Sequence, residues 1–302
     1  MTERAPQDAA IRTELLARRY GRRTALEGLS LSVPRGAVFG FLGPNGAGKT
    51  TAVKLLLGLV RPTGGEGMVL GRRLGDPAAR RRIGYLPELF RYQDWLSARE
   101  VLEAHAALIG LPRAARRAQA ERMLERVALG RDGLRRVGAF SKGMQQRLGL
   151  AVALLGDPEL VVLDEPTSAL DPVGRHDVRG IIQSLRAEGR TVFLNSHLLS
   201  EVEAVCDEVA VIDHGRVVAR GSLPALLAVT GVEVEVEGLG EEAIAALGGR
   251  FTPPRTALFP DLGEAEIPAL VAALVARDGR IHAVRPQRQS LEQRFLDWLE
   301  VR

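Results

Sequence analysis

The stretch "GPNGAGKTT", residues 43–51, decides the fold. It follows the apolar run "AVFGFL" (37–42) and leads into "TAVKLLLGLV" (51–60), which has the spacing of a helix. Strand, glycine-rich turn and helix are the setting that a phosphate-binding loop requires. The pattern G-x-x-x-x-G-K-[ST] is met by Gly43, by Gly46, Ala47 and Gly48, and by Lys49 and Thr50. Its glycines let successive N–H groups turn inward onto phosphate oxygens, and the helix adds the positive end of its dipole. Lys49 is one of three lysines in a chain with 38 arginines. A compact ammonium fits a tight phosphate nest that a planar guanidinium does not, so geometry overrides the compositional bias here. Thr50 is expected to ligate Mg²⁺ through its hydroxyl. Pro44, Asn45 and Thr51 complete the expected nucleotide loop.

A second chemical centre is "LVVLDEP" (160–166), where a buried-type strand ends in two carboxylates. Asp164 is expected to hold Mg²⁺, and Glu165 to polarise the attacking water as general base. Just over twenty residues before Asp164 stands "FSKGMQQR" (140–147), which reads as a helix with Ser141 as a possible N-cap. "SALD" (168–171) follows the carboxylates, and "NSH" ends the next strand at His197.

The rest of the chain is ordinary for a globular protein. Of its 302 residues 46% are hydrophobic and 26% charged, which supports a sizeable core. No run reaches the ~18 apolar residues of a membrane span, and "MTERAPQDAA" lacks the core of a signal peptide. The lone Cys206 excludes an internal disulfide and fits a reducing cytoplasm as a small buried residue. The net charge of +4 reads as an arginine bias, because the arginine clusters are scattered and not interleaved with aromatics.

Strands are expected at "LSLSV" (29–33), "LVVLD", "TVFLN" (191–195) and "VAVID" (209–213), with a hairpin at His214–Gly215. Residues 97–155 look helical. Alternating strands and helices imply a mostly parallel sheet covered on both faces. The texture changes after "GSLPALLAV" (221–229): "VEVEVE" (232–237) alternates strictly and could be an edge strand open to pairing. A β-α-β-α-β-α order then suggests a small α+β module.

The ordered set of motifs resembles the nucleotide-binding ATPases of ATP-binding cassette (ABC) transporters, over roughly residues 10–221. The resemblance implies an α/β P-loop NTPase of ABC type: a mostly parallel core sheet, an antiparallel β subdomain and an inserted helical subdomain. That domain is expected at 1–221, its helical part at about 88–156, and an accessory α+β domain at 222–302. The resemblance further implies a head-to-tail dimer around two ATP molecules. Ser141 and Gly143 of one copy would cap the γ-phosphate held by the other, and Asp171 would couple the halves. His197 would contact the γ-phosphate and orient the water and Glu165; Tyr20 would stack on adenine.

Two motifs depart from the family pattern. The usual L-S-G-G-Q reads Phe140, Ser141, Lys142, Gly143, Met144, and Glu88 stands where glutamine is usual. Glu88 could still ligate Mg²⁺. Both departures, and the tail "SLEQRFLDWLE" (290–300), resemble bacterial exporter ATPases for drugs, antibiotics, lipids or polysaccharide whose membrane permease is a separate chain. Phe90, Tyr92 and Trp95 fall in the region that forms the permease groove in that family. The expected place is the cytoplasmic face of the inner membrane, as a peripheral subunit with no specific nucleic acid partner. The competing reading is a soluble ABC ATPase acting on nucleic acid or ribosomes, but one phosphate loop and no sustained heptads argue against it.

Overall fold

The chain ahead of the glycine turn forms three strands, β1 (Ala9–Tyr20), β2 (Arg23–Pro34) and β3 (Val38–Leu42). The computed structural model describes residues 9–300 apart from 169, 228 and 261. Two compact units divide it, Met1–Leu223 and Pro224–Arg302. In the first unit α1 (Lys49–Leu56) follows the turn, then β4 (Gly64–Val69), β5 (Arg72–Arg73), α2 (Pro77–Arg80) and β6 (Ile83–Leu86). Three helices come next: α3 (Ala98–Leu108), α4 (Arg113–Arg126) and α5 (Lys142–Ala153). The unit closes with β7 (Leu160–Asp164), α6 (Pro172–Ala187), β8 (Thr191–Asn195), α7 (Leu199–Val205), β9 (Glu208–Asp213) and β10 (Arg216–Ser222).

The central sheet has the order β10-β9-β3-β8-β7-β6. All its pairings are parallel except β9–β10, the hairpin at His214–Gly215. Strands β3, β7 and β8 are buried at every residue, which is why they read as continuous apolar runs rather than alternating ones. Phe193 on β8 stacks on Phe39 at 6.0 Å and meets Phe41 at 5.2 Å between ring centroids, bolting β3 to β8. A second, antiparallel sheet runs β2-β1-β4-β5.

Register aligns the chemistry. Phe41 of β3 pairs with Asn195 of β8, and Asn195 pairs with Asp164 of β7. Leu86, two residues before Glu88, pairs with Leu163. The carboxyl ends of four parallel strands therefore stop at one level, which is where open α/β sheets hold ligands.

The second unit contains β11 (Val229–Glu237), α9 (Glu241–Ala245), β12 (Arg250–Thr252), β13 (Thr256–Pro260), α10 (Ile267–Val275), β14 (Arg280–Arg288) and α11 (Leu291–Glu300), after the short α8 (Leu223–Leu226) at the division between the units. Its sheet order is β12-β13-β11-β14, all antiparallel, the split β-α-β-β-α-β arrangement. Val232, Val234, Val236, Phe259 and Leu274 form its core. The strand β12 was not anticipated, since "RFT" is too short to show a period. A correction concerns "VEVEVE": β11 lies inside the sheet between β13 and β14, not at an edge. Its acidic face is answered across the strand by Arg285, which contacts Glu233 at 3.3 Å and Glu235 at 2.7 Å. The outer strand β14 carries Pro286 opposite Val232.

Candidate functional site

The loop after β3 is shaped by steric necessity. A side chain at Gly43 would place its Cβ 2.3 Å from the Ile212 carbonyl oxygen. Gly48, the N-cap of α1, has φ of 105°, and a Cβ there would lie 2.4 Å from the Ala25 oxygen. Only glycine permits both the turn and the approach. Behind the loop, Gly215 donates its N–H to the Ala47 oxygen at 2.9 Å. The Lys49 ammonium folds back onto the loop, donating to the Gly43 oxygen at 2.6 Å and the Pro44 oxygen at 3.2 Å. Burial pulls its pKa down, while the nearby Glu165, Asp164 and Glu88 carboxylates oppose that shift. A cation held by carbonyls and faced by carboxylates is well placed to receive phosphate oxygens.

Asp164 ends β7 almost fully buried, and the Asn195 amide of the neighbouring strand donates to its Oδ1. Desolvation raises its pKa; the Asn195 hydrogen bond works against this, and Glu88 adds to it. Glu165, the next residue, adopts a left-handed φ of 54°. Such a conformation costs on the order of 1–3 kcal/mol in a non-glycine residue and persists where surrounding bonds enforce it. Here its N–H donates to the Asn195 oxygen at 2.9 Å, and its carboxylate accepts from the His197 N–H at 2.9 Å. The kink turns the Glu165 side chain away from that of Asp164, so adjacent carboxylates face different partners. Burial raises the Glu165 pKa, and the His197 contact lowers it.

One cleft of about 610 Å³ brings together Tyr20, Asn45, Gly46, Gly48, Lys49, Thr50, Thr51, Glu88, Glu165 and His197. Gly43, Pro44 and Ala47 shape the loop from outside the lining, and Asp164 lies beneath it. The cleft does not include Ser141, Gly143 or Asp171; these line a separate concavity of about 500 Å³ with Lys142 and Met144. Ser141 caps α5, accepting from the Met144 N–H at 3.2 Å, and Asp171 caps α6, accepting from the Gly174 N–H at 2.8 Å. Hard oxygen donors at Thr50, Asp164 and Glu88 suit Mg²⁺, and the mutual repulsion of the two carboxylates is what a dication would relieve. They are too few for an all-protein cage, so phosphate oxygens and water would supply the remaining ligands.

Some features lay beyond sequence reading. Asn195 joins both carboxylate residues, a role that neither "TVFLN" nor "NSH" announced. Arg18 stacks over Tyr20 at 4.5 Å, so one face of that ring already has a cationic neighbour. The aromatic loop also differs from expectation. Phe90 packs so tightly on Gly149 that a Cβ there would lie 2.5 Å from its ring, and Tyr92 sits edge-on to His105 at 5.5 Å. Only Trp95 (70% exposed) remains open among the three, beside Leu89 at 87%.

Fold and cleft together define a P-loop nucleotide hydrolase. The family model described as ABC transporter matches residues 26–168. An uncharacterized ABC transporter ATP-binding protein of Synechocystis is 40% identical over 281 residues, 92% of this chain and 79% of that one. A Nod factor export ATP-binding protein of Ralstonia nicotianae is 37% identical over 267 residues, covering 88% and 81%. A bacitracin transport ATP-binding protein of Bacillus licheniformis is 42% identical over 209 residues, covering 68% and 67%. Among solved structures, an ATP binding subunit of an ABC transporter superposes with a TM-score of 0.66 at 32% identity, over 72% of this chain and 91% of that one. The chain belongs to the ATP-binding proteins of ABC transporters. It is an ATPase subunit that binds ATP and energises a membrane partner, as the motif order led one to expect. The reading as a nucleic-acid machine is not favoured. No helix among the described residues is long and apolar enough to cross a membrane.

Proposed function

We propose that two copies of this chain close head to tail around two Mg²⁺–ATP and drive a separate multi-span permease in the direction of export. The observation that carries the dimer is the separation of the two concavities. Lys49, Glu165 and His197 share one cleft, Ser141, Gly143 and Asp171 another, and no residue lines both. Each is half of a phosphate site. The Ser141–Gly143 turn presents a 12-residue helix N-terminus, which complements phosphate charge supplied by the other copy.

In the closed pair Lys49 and the loop N–H groups hold the β- and γ-phosphates. Thr50, Asp164 and Glu88 would hold Mg²⁺, which would supply neutralisation of the phosphate charge when bound. Glu165 takes the proton of the attacking water, and His197 keeps the carboxylate aimed while reaching the γ-phosphate. Tyr20 offers its free face to adenine. Residues 1–221 are the ATPase domain, with 88–156 as its helical part, and 222–302 an accessory domain. Export is favoured by the relatives named for Nod factor export and bacitracin transport. The assembly sits peripherally on the cytoplasmic face of the membrane, with Leu89 and Trp95 toward the permease.

Glu165→Gln tests this. With Mg²⁺–ATP the full-length variant should elute as a dimer by light scattering and retain two ATP per dimer, while releasing no phosphate. A variant that stays monomeric at saturating ATP, or that hydrolyses at the native rate, would overturn the proposal.

A further inference from the structure

Arg23 lines the same cleft as Tyr20, Lys49 and Thr50. It is exposed, and among the described residues nothing hydrogen-bonds or ion-pairs with its guanidinium. The arginines beside it in sequence are placed otherwise. Arg18 lies over the Tyr20 ring at 4.5 Å and donates to the Arg61 oxygen at 2.7 Å. Neither Arg18 nor Arg22 borders the cleft.

Strand geometry makes this selection. Tyr20 and Arg23 stand directly opposite each other across the β1–β2 hairpin, and opposite residues show their side chains on one face of a sheet. Ala25, two residues on, returns to that face. It lines the cleft as well, and Thr24 between them does not. The Ala25 carbonyl is the one that a Cβ at Gly48 would meet at 2.4 Å. The start of β2 therefore runs from the Tyr20 ring to the phosphate loop, with Arg23 on the way.

The charge of the cleft leaves work for a second cation. Lys49 donates to two loop carbonyls, and Glu165, Asp164 and Glu88 all act on its ammonium. A polyphosphate gains from a further positive group on the wall. With the base on Tyr20 and the β- and γ-phosphates in the loop, the anionic group on the stretch between them is the α-phosphate. We infer that Arg23 binds the α-phosphate of the nucleotide, its guanidinium fork meeting the two non-bridging oxygens. Such forks match phosphate geometry, and this one has no partner to give up on binding. The inference rests on the reading of Tyr20 as the adenine platform and of residues 43–51 as the phosphate loop. It adds a contact common to ATP and ADP, which sets affinity for nucleotide without sensing the γ-phosphate. In a chain with 38 arginines, this one carried no signal in the sequence.

The test is displacement of a fluorescent ATP analogue from the full-length protein by ATP, ADP and adenosine. Arg23→Gln, Arg23→Lys and Lys49→Ala are compared with the native chain. Arg23→Gln should weaken ATP and ADP by the same factor, about tenfold or more, and leave adenosine within about twofold. Arg23→Lys, a charge without the fork, should fall between Arg23→Gln and native. An exposed, unpaired side chain can be replaced without loss of fold, which a melting curve verifies. Unchanged affinity for ATP and ADP in Arg23→Gln overturns the contact. So does a loss that extends to adenosine, which marks the base or ribose, and so does a loss confined to ATP, which marks the γ-phosphate. Native affinity in Arg23→Lys reduces the residue to a diffuse charge and overturns the fork. Lys49→Ala separates this inference from the reading beneath it. If that variant binds ATP and ADP as tightly as the native chain, the phosphate loop itself is misassigned. If it loses both while Arg23→Gln loses neither, the role of Arg23 alone falls.

Discussion

His197 holds Glu165 at two points: its backbone N–H donates to Oε1 at 2.9 Å, and its Nδ1 meets Oε2 at 2.7 Å. Both carboxylate oxygens are thereby oriented, and the charged form is favoured against the burial that otherwise raises the Glu165 pKa.

The pH profile of hydrolysis should report this contact. Glu165 serves as a base only when ionised, so activity falls as pH drops through its raised pKa. His197→Ala removes the influence that holds this pKa down. The acid limb of kcat should move to higher pH, and kcat should fall about 10²-fold or more at neutral pH. An unmoved acid limb in an otherwise folded variant would refute the assignment of Glu165 as base.

Asp164 should trade stability for function. Burial raises its pKa, so the charged carboxylate at neutral pH destabilises the nucleotide-free fold, and stability rises as pH falls through that pKa toward the unfolded value. Asp164→Asn should raise the unfolding free energy of the nucleotide-free protein by roughly 0.5–2 kcal/mol and abolish turnover. Calorimetry without nucleotide, beside a phosphate-release assay, measures both; a lowered melting temperature contradicts the expectation.

Gly48→Ala should destroy nucleotide binding. The substituted residue would need a φ of 105° with its Cβ 2.4 Å from a backbone oxygen, and the loop must shift to relieve it. Overpacking of this kind costs about 1–3 kcal/mol. Fluorescent-nucleotide titration should show affinity lost by at least about 10²-fold, with the second unit's secondary structure intact.

Ser97→Ala is the control far from phosphate chemistry. Ser97 caps α3, accepting from the Glu100 N–H at 3.3 Å, while Glu100 reaches back to the Ser97 N–H at 2.7 Å. Loss of the cap should cost about 1 kcal/mol, a few degrees in Tm, with ATP turnover per folded molecule unchanged.

Much of the site was legible because its chemistry demands particular residues at particular spacings. The glycines of 43–48 and the lysine after them have no cheaper explanation than phosphate. Buried parallel strands announce themselves as apolar runs, so β3, β7, β8 and β9 could be seen. β1 and β4 could not: "AAIRTELLARRY" mixes polar and apolar residues through register shifts, and "GGEGMV" is glycine-rich. What remained hidden is relational. The Asn195 bridge, the Glu165 backbone kink and the inward turn of Phe90 and Tyr92 each depend on a neighbour distant in sequence. Alternation in "VEVEVE" revealed a two-faced strand, but not which strands would flank it.

Pro286 bears on how this protein behaves in bulk. It sits on the outer strand β14 and supplies no amide hydrogen to an incoming chain. The β14 edge of the second unit's sheet is therefore a poor template for fibre growth at that point, even where many copies crowd together. Restoring a donor there with Pro286→Val would remove a safeguard against clumping without touching a single residue that handles ATP.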